Sequence, residues 1–150
     1  MPLLDLELLF GSFTNLFVLG WLCLFVAVFI RETSPVRKHL LMVGGRIIPL
    51  MLLSMFVVGW MLTRGLPGDI TSFDGVLLGF SVPEKVMLAW FEILGFALIV
   101  GRWIIEDGLK TGAAKPIVAV SLIGAFFAVA IGLVVYLVMT RVFAHQTAVT

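Results

Sequence analysis

An all-α, polytopic membrane protein built as a four-transmembrane-helix bundle is the fold class this sequence predicts, and three observations carry the prediction. Of the 150 residues, 61% are hydrophobic and only 13% charged, too few polar groups to cover a water-facing surface. The apolar residues fall in long runs, not in the short alternating runs of a β-barrel, so the spans are helical. Four such runs are separated by short links bearing Gly, Pro or charge, and a single membrane domain accommodates them all.

The first span covers about residues 6–30, since about 20 apolar residues at roughly 1.5 Å each cross roughly 30 Å of hydrocarbon. Asn15 is its only side-chain amide, and Cys23, the only cysteine in the chain, excludes an intrachain disulfide. The run ends at RETSPVRKH, where Pro35 is expected to break the helix. A second span follows over about residues 42–63, with Gly44 and Gly45 at its start and Pro49 in its first turns. From Arg64 to Pro83 the text becomes RGLPGDITSFDGVLLGFSVP. Its apolar piece FDGVLLGF is too short to cross, and is expected to lie along the interface or to re-enter the bundle mouth. The third span covers about 84–106, and the polar link EDGLKTGAAK separates it from the fourth, about 116–140, which opens at Pro116. In that last span Gly124, Ala128 and Gly132 recur every four residues, a small-residue stripe for close helix packing.

Charge placement predicts an orientation. Arg31, Arg37, Lys38, Arg46, Arg102, Lys110 and Lys115 fall on the first and third connections, against Arg64, Lys85 and Arg141 on the opposite side, and seven against three puts both termini outside the cytoplasm. The first apolar run is longer than a signal-peptide core and is preceded by Asp5 and Glu7 rather than lysines, so it is expected to remain uncleaved. With Met1 opening the chain and no Arg- and Ser-rich transit segment, a bacterial inner membrane is the expected location. A net charge of +1 with no basic stripe argues against nucleic acid as a partner. His39 and His145 make no metal or haem pair, and no phosphate-cradling loop or Ser/His/Asp set is present, so no metal site is expected.

The chemistry-bearing residue is Glu92, an ionisable group near the middle of the third span, which costs a few kcal/mol there unless it faces helices, a cavity or a ligand. Counted from the outer ends, Asn15, Ser54 and Glu92 all lie roughly 12 to 14 Å deep. One level suits a polar layer, in which Asn15 and Ser54 would hydrogen-bond a carboxyl whose pKa burial raises, leaving a neutral proton donor. The same three residues would equally serve as packing glue or a homodimer contact. Trp90, two residues from Glu92, is the tryptophan best placed to line a pocket for a flat apolar ligand, whereas Trp60 and Trp103 sit near span ends as interfacial anchors. Arg102 precedes Glu106 by four residues and is expected to pair with it at the membrane boundary.

The stretch Trp90-Phe-Glu92-Ile-Leu94-Gly-Phe96-Ala97-Leu98-Ile-Val100-Gly101-Arg102-Trp103 resembles the signature of the neoxanthin-synthase-like family, also called abscisic-acid-deficient-four-like. The third helix of those small four-helix membrane proteins typically reads Trp, any residue, His-Tyr-Leu-Ala-Phe-Asp-Leu, an apolar pair, then Gly-Arg-Trp. LLFGSFTNLFVLGWLCL resembles the family's first helix, and Gly132 to Tyr136 with Arg141 its fourth. Where the family has His and Asp, this chain has Glu92 and Ala97, so of that pair it keeps one ionisable group.

The resemblance implies a bundle that holds a carotenoid or other isoprenoid lipid, in the plant members an epoxide-bearing xanthophyll rearranged to an allene. In a reaction of that kind Glu92 would give a proton to oxygen and take one from carbon. Trp90 and Phe96 would stack along the polyene, Asn15 would orient the carboxyl, and Ser54, Arg102 and Trp103 would complete the substrate contacts. No cofactor is expected beyond a bound carotenoid or lipid. The competing expectation is a non-enzymatic accessory or assembly subunit, a homo-oligomer or part of a larger membrane complex, which loss of the His and Asp pair favours.

Overall fold

The computed structural model describes residues 6–69 and 71–147, with side chains through Arg141, so Asp5 and the side chain of His145 lie outside the described residues. All regular structure in that range is helical: α1 (Leu6–Phe29), α2 (Pro35–Met42), a π-helical turn (Val43–Ile47), α3 (Ile48–Leu62), α4 (Phe73–Phe80), α5 (Pro83–Thr111), α6 (Lys115–Phe127) and α7 (Val129–Thr147). Three helices, α1, the continuous α2–α3 unit and α5, are long and apolar enough to cross a membrane. The protein is a multi-pass membrane protein.

The second long helix begins at Pro35, several residues before the expected start near 42. Pro35 sits at the first helical position, where a missing N–H costs nothing, so it starts a helix here. Further along, Pro49 has no N–H to bond to the carbonyl four residues back, and the π turn just before it absorbs the mismatch. Gly44 and Gly45 lie in that turn because α1 and α5 come too close for side chains. A Cβ on Gly44 would stand 2.6 Å from the Gly20 carbonyl oxygen, and one on Gly45 would overlap the stem of Arg102.

Helix α5 is the hub and packs against α1, α3, α4, α6 and α7. Leu24, Leu52, Phe91, Leu98, Ile104, Ile105, Leu122 and Tyr136 form the fully buried core around it. Its C-terminus closes with a left-handed Gly112, φ 67°, where the Ala113 amide bonds back to the Gly108 carbonyl at 2.9 Å. Large apolar side chains such as Leu22, Leu50 and Ile123 point outward, as lipid-facing positions do.

The fourth apolar run departs from a straight span. Ala128 is extended, φ −154° and ψ 109°, and divides it into α6 and α7. In a continuous helix Gly124 and Gly132 would be about 12 Å apart. Here a Cβ on Gly124 would lie 3.1 Å from the Gly132 Cα. Val118 on α6 and Tyr136 on α7 both reach Gly108 on α5. The run is therefore a helical hairpin, and its entry at Lys115 and its continuation past Tyr136 lie at the same end of the bundle. Gly124 and Gly132 are not a stripe on one helix but the facing contact between two.

Candidate functional site

Two regions flank the ends of α5. Toward its N-terminus, the first turns of α1, the end of α4 and one face of α5 enclose an open apolar groove of about 720 Å³. Phe10, Phe80, Val86, Met87, Trp90 and Ile93 line it, with Glu7 and Ser81 as the polar residues of the lining. Positions 83, 86, 87, 90 and 93 share one stripe of α5, which is why a single helix face supplies half the lining. The Phe10 and Trp90 rings stack at 6.4 Å with 26° between their planes, an apolar surface suited to a flat conjugated ligand.

Beside the groove the described residues of the connection, 64–69 and 71–83, fold into a compact cap. Lys85 donates to the carbonyls of Leu66, at 3.2 Å, and Gly68, and sits 5.8 Å from the Trp60 ring centre. Asp69 accepts from the Thr71 hydroxyl at 2.6 Å and amide at 2.8 Å, which hold its carboxyl below the usual carboxylate range. Helix α4 starts at Ser72, whose hydroxyl accepts from the Gly75 amide, and exposes Phe73, Leu77 and Phe80.

At the other end of α5, about 18 Å from Trp90 along the helix axis, lies a polar cluster. Arg102 donates to Glu106 from Nε at 2.7 Å and Nη2 at 2.5 Å, the expected pair, with its stem lying over Gly45. The Tyr136 hydroxyl donates to Asp107 at 2.7 Å, and its ring meets Trp103 edge-on at 5.7 Å. Gly101 admits the Trp21 ring, 2.9 Å from where a Cβ would stand. Each residue of the Gly-Arg-Trp triplet thus has a distinct packing partner: Trp21, Gly45 and Tyr136.

The expected polar layer does not assemble. Ser54 is exposed and donates to the Leu50 carbonyl of its own helix at 2.6 Å, while Asn15 is exposed on α1. Asn15 turns outward because its neighbours Phe13 and Phe17 take the inward face, Phe13 packing against Phe91 at 4.7 Å with the rings tilted by 48°. Glu92 is half-buried without a hydrogen-bond or ion-pair partner among the described residues. At 100° per residue it lies 200° from Trp90 and within about 60° of both Leu88, which packs on Gly59, and Gly95, which packs on Leu53. It therefore stands on the α3 side of α5 and outside the groove lining. Phe96, 51% exposed, is also outside the groove. Trp90 alone of the expected contact residues lines it, and Arg102 and Trp103 belong to the polar cluster.

Reasoning from sequence missed Phe10, Phe80 and Met87 in the groove, Tyr136 and Asp107 as a bonded pair, and the burial of Arg37. The Phe10 contact had one available signal, an aromatic near the N-terminal end of the first span at the level of Trp90.

Comparison with curated proteins and with solved structures finds no match. A family model described as ABA DEFICIENT 4-like does match, over residues 8–136, a range that takes in Phe10, Trp90 and the whole polar cluster. The chain belongs to the ABA DEFICIENT 4-like family.

Proposed function

We propose that the protein binds a long isoprenoid of carotenoid type in the groove between α1, α4 and α5. The observation that carries this reading is the groove itself, lined by apolar residues apart from Glu7 and Ser81, with the Phe10–Trp90 stack in its wall. The ligand class comes from the likeness of the third helix to the neoxanthin-synthase-like signature. Binding is favoured over isomerisation because Glu92 stands on the far side of α5 from Trp90, and proton transfer needs hydrogen-bond reach.

The test is absorbance and mass spectrometry of lipids extracted from gently purified protein. Wild type should carry a stoichiometric isoprenoid. Trp90→Ala should carry less, by about 2- to 12-fold for the loss of an aromatic contact of about 0.5–1.5 kcal/mol. Glu92→Gln should carry the same amount in the same chemical form. A changed chemical form in Glu92→Gln would make the carboxyl a reacting group and restore the isomerase reading.

A second reading, an accessory subunit docked against another membrane helix, is favoured by Asn15. Its amide is exposed on α1, a helix apolar enough to cross a membrane, where a partner helix would satisfy it. Wild type without isoprenoid but with a constantly co-purifying membrane protein would select that reading.

A further inference from the structure

The most costly unmet polar group among the described residues is Arg37. Its side chain is only 4% exposed, and its Nε and Nη1 are buried with no hydrogen-bond partner. A guanidinium out of water is strongly unfavourable unless anions or acceptors surround it, so an uncompensated one points to a ligand. Arg37 lines a cavity of about 180 Å³ where the end of α1, the first turn of α2, the last turn of α5 and the start of α6 meet. Lys115 supplies a second cation to its wall, and Gly108 and Gly112 leave backbone there instead of side chains. The N-terminus of α6 opens on the same cavity, uncapped by any side chain, and contributes the positive end of a 13-residue helix.

One carboxylate, Glu32, shares the wall, but it is exposed and makes no ion pair with Arg37 or Lys115. The balance of the wall is cationic. Arg31, on the connection before α2, and Lys38, on α2, are both exposed and add to the positive charge at this end of the bundle. The cavity also lies at the end of the membrane-crossing helices, next to outward-facing Phe29, Val36 and Leu109. An anionic group would sit in the cavity while an attached chain ran down those apolar side chains.

We infer that this cavity is a binding site for an anionic phosphate group, held by the Arg37 guanidinium and Lys115 ammonium at the N-terminus of α6, with an anionic phospholipid headgroup or free phosphate as the source. Arg suits the role because its planar fork matches phosphate oxygens two at a time. Basic pockets between membrane helices take lipid headgroups by the same chemistry. The site is independent of the apolar groove at the opposite end of the bundle.

The experiment uses full-length protein in an uncharged detergent, with native mass spectrometry and thermal unfolding as readouts. Three probes are added: phosphatidylglycerol, phosphatidylcholine and inorganic phosphate. For wild type, phosphatidylglycerol should form a one-to-one adduct and raise the Tm, and phosphatidylcholine should do neither. Lys115→Gln, at an exposed position, should weaken the adduct by about fivefold. Arg37→Met should weaken it by about tenfold or more. Arg37→Met should also unfold no earlier than wild type when no anion is present, because a buried unpaired charge has been replaced by an apolar chain. Displacement of the lipid by millimolar phosphate would identify the phosphate group alone as the ligand. Phosphatidylglycerol binding that phosphate cannot displace would identify the lipid as the source. No effect of either anion on wild type, or equal binding by wild type and Lys115→Gln, would overturn the assignment.

Discussion

Tyr136 shows how much one side chain ties together. It is fully buried, donates to Asp107 and packs on Trp103, so it joins the hairpin to α5. Tyr136→Phe keeps the ring and removes the hydroxyl, leaving Asp107 without this donor. A hydrogen bond to a charged group contributes about 1.5–3 kcal/mol, so unfolding in micelles should show a loss of that size. Asp107→Asn, which keeps an acceptor, should lose less. The Arg102–Glu106 pair was readable from its spacing of four, because neighbours on one helix face need nothing but the helix. Asp107 and Tyr136 are 29 residues apart, and no local rule joins them. Arg37 read as one more loop cation in a basic connection. Only the helix that starts at Pro35 turns it inward.

Elements were legible in kind and less so in their limits. The long apolar runs located α1, α3 and α5, and the short FDGVLLGF piece is the eight-residue α4. Helix starts at Pro35 and Pro83 follow from the tolerance of proline in a first turn. The cap that holds Asp69 and Thr71 has its own pH dependence. Its Asp69 titrates below the ordinary range because Thr71 donates two hydrogen bonds to the carboxylate. A depressed pKa in the folded loop means a contribution that is whole above the unfolded value and is lost as pH falls through the folded one. Thr71→Val removes the hydroxyl donor and keeps the amide. The Asp69 carboxyl should then titrate closer to its ordinary value, visible in an NMR pH titration, and the cap should open at a higher pH on acidification. An unmoved titration would mean that the amide alone sets the shift.

Across the whole molecule the hairpin at Ala128 changes the charge map. Arg141 follows Tyr136 by five residues, so it moves to the end of the bundle that holds Asp107 and Lys115. The basic residues then divide eight against two, with Arg64 and Lys85 remaining at the groove end, a stronger asymmetry than four straight spans produce. By the positive-inside rule the C-terminal end of the chain should face the cytoplasm, opposite to the N-terminus, in place of the shared outer face expected from an even number of crossings. Single cysteines at positions 64, 115 and 141, placed in a Cys23→Ala background, test this with a membrane-impermeant thiol reagent. Positions 115 and 141 should be labelled from one side and position 64 from the other. Labelling of 141 together with 64 would require a straight fourth span.

By itself the sequence determined the solvent in which this protein folds, the helical class, the number of apolar runs and the family motif on α5. Those follow from composition and from periodicities within about 30 residues, and lipid imposes internal hydrogen bonding on every run. Tertiary structure decided which polar groups meet. Asn15, Ser54 and Glu92 share a depth but not a direction, because Phe13, Phe17 and Leu53 take the inward faces of their helices. Depth is counted along one helix, whereas facing depends on how three helices rotate against one another. The same reason separates Trp90 from Glu92 and folds Gly124 onto Gly132, since a reversal at one extended residue leaves no trace in hydropathy.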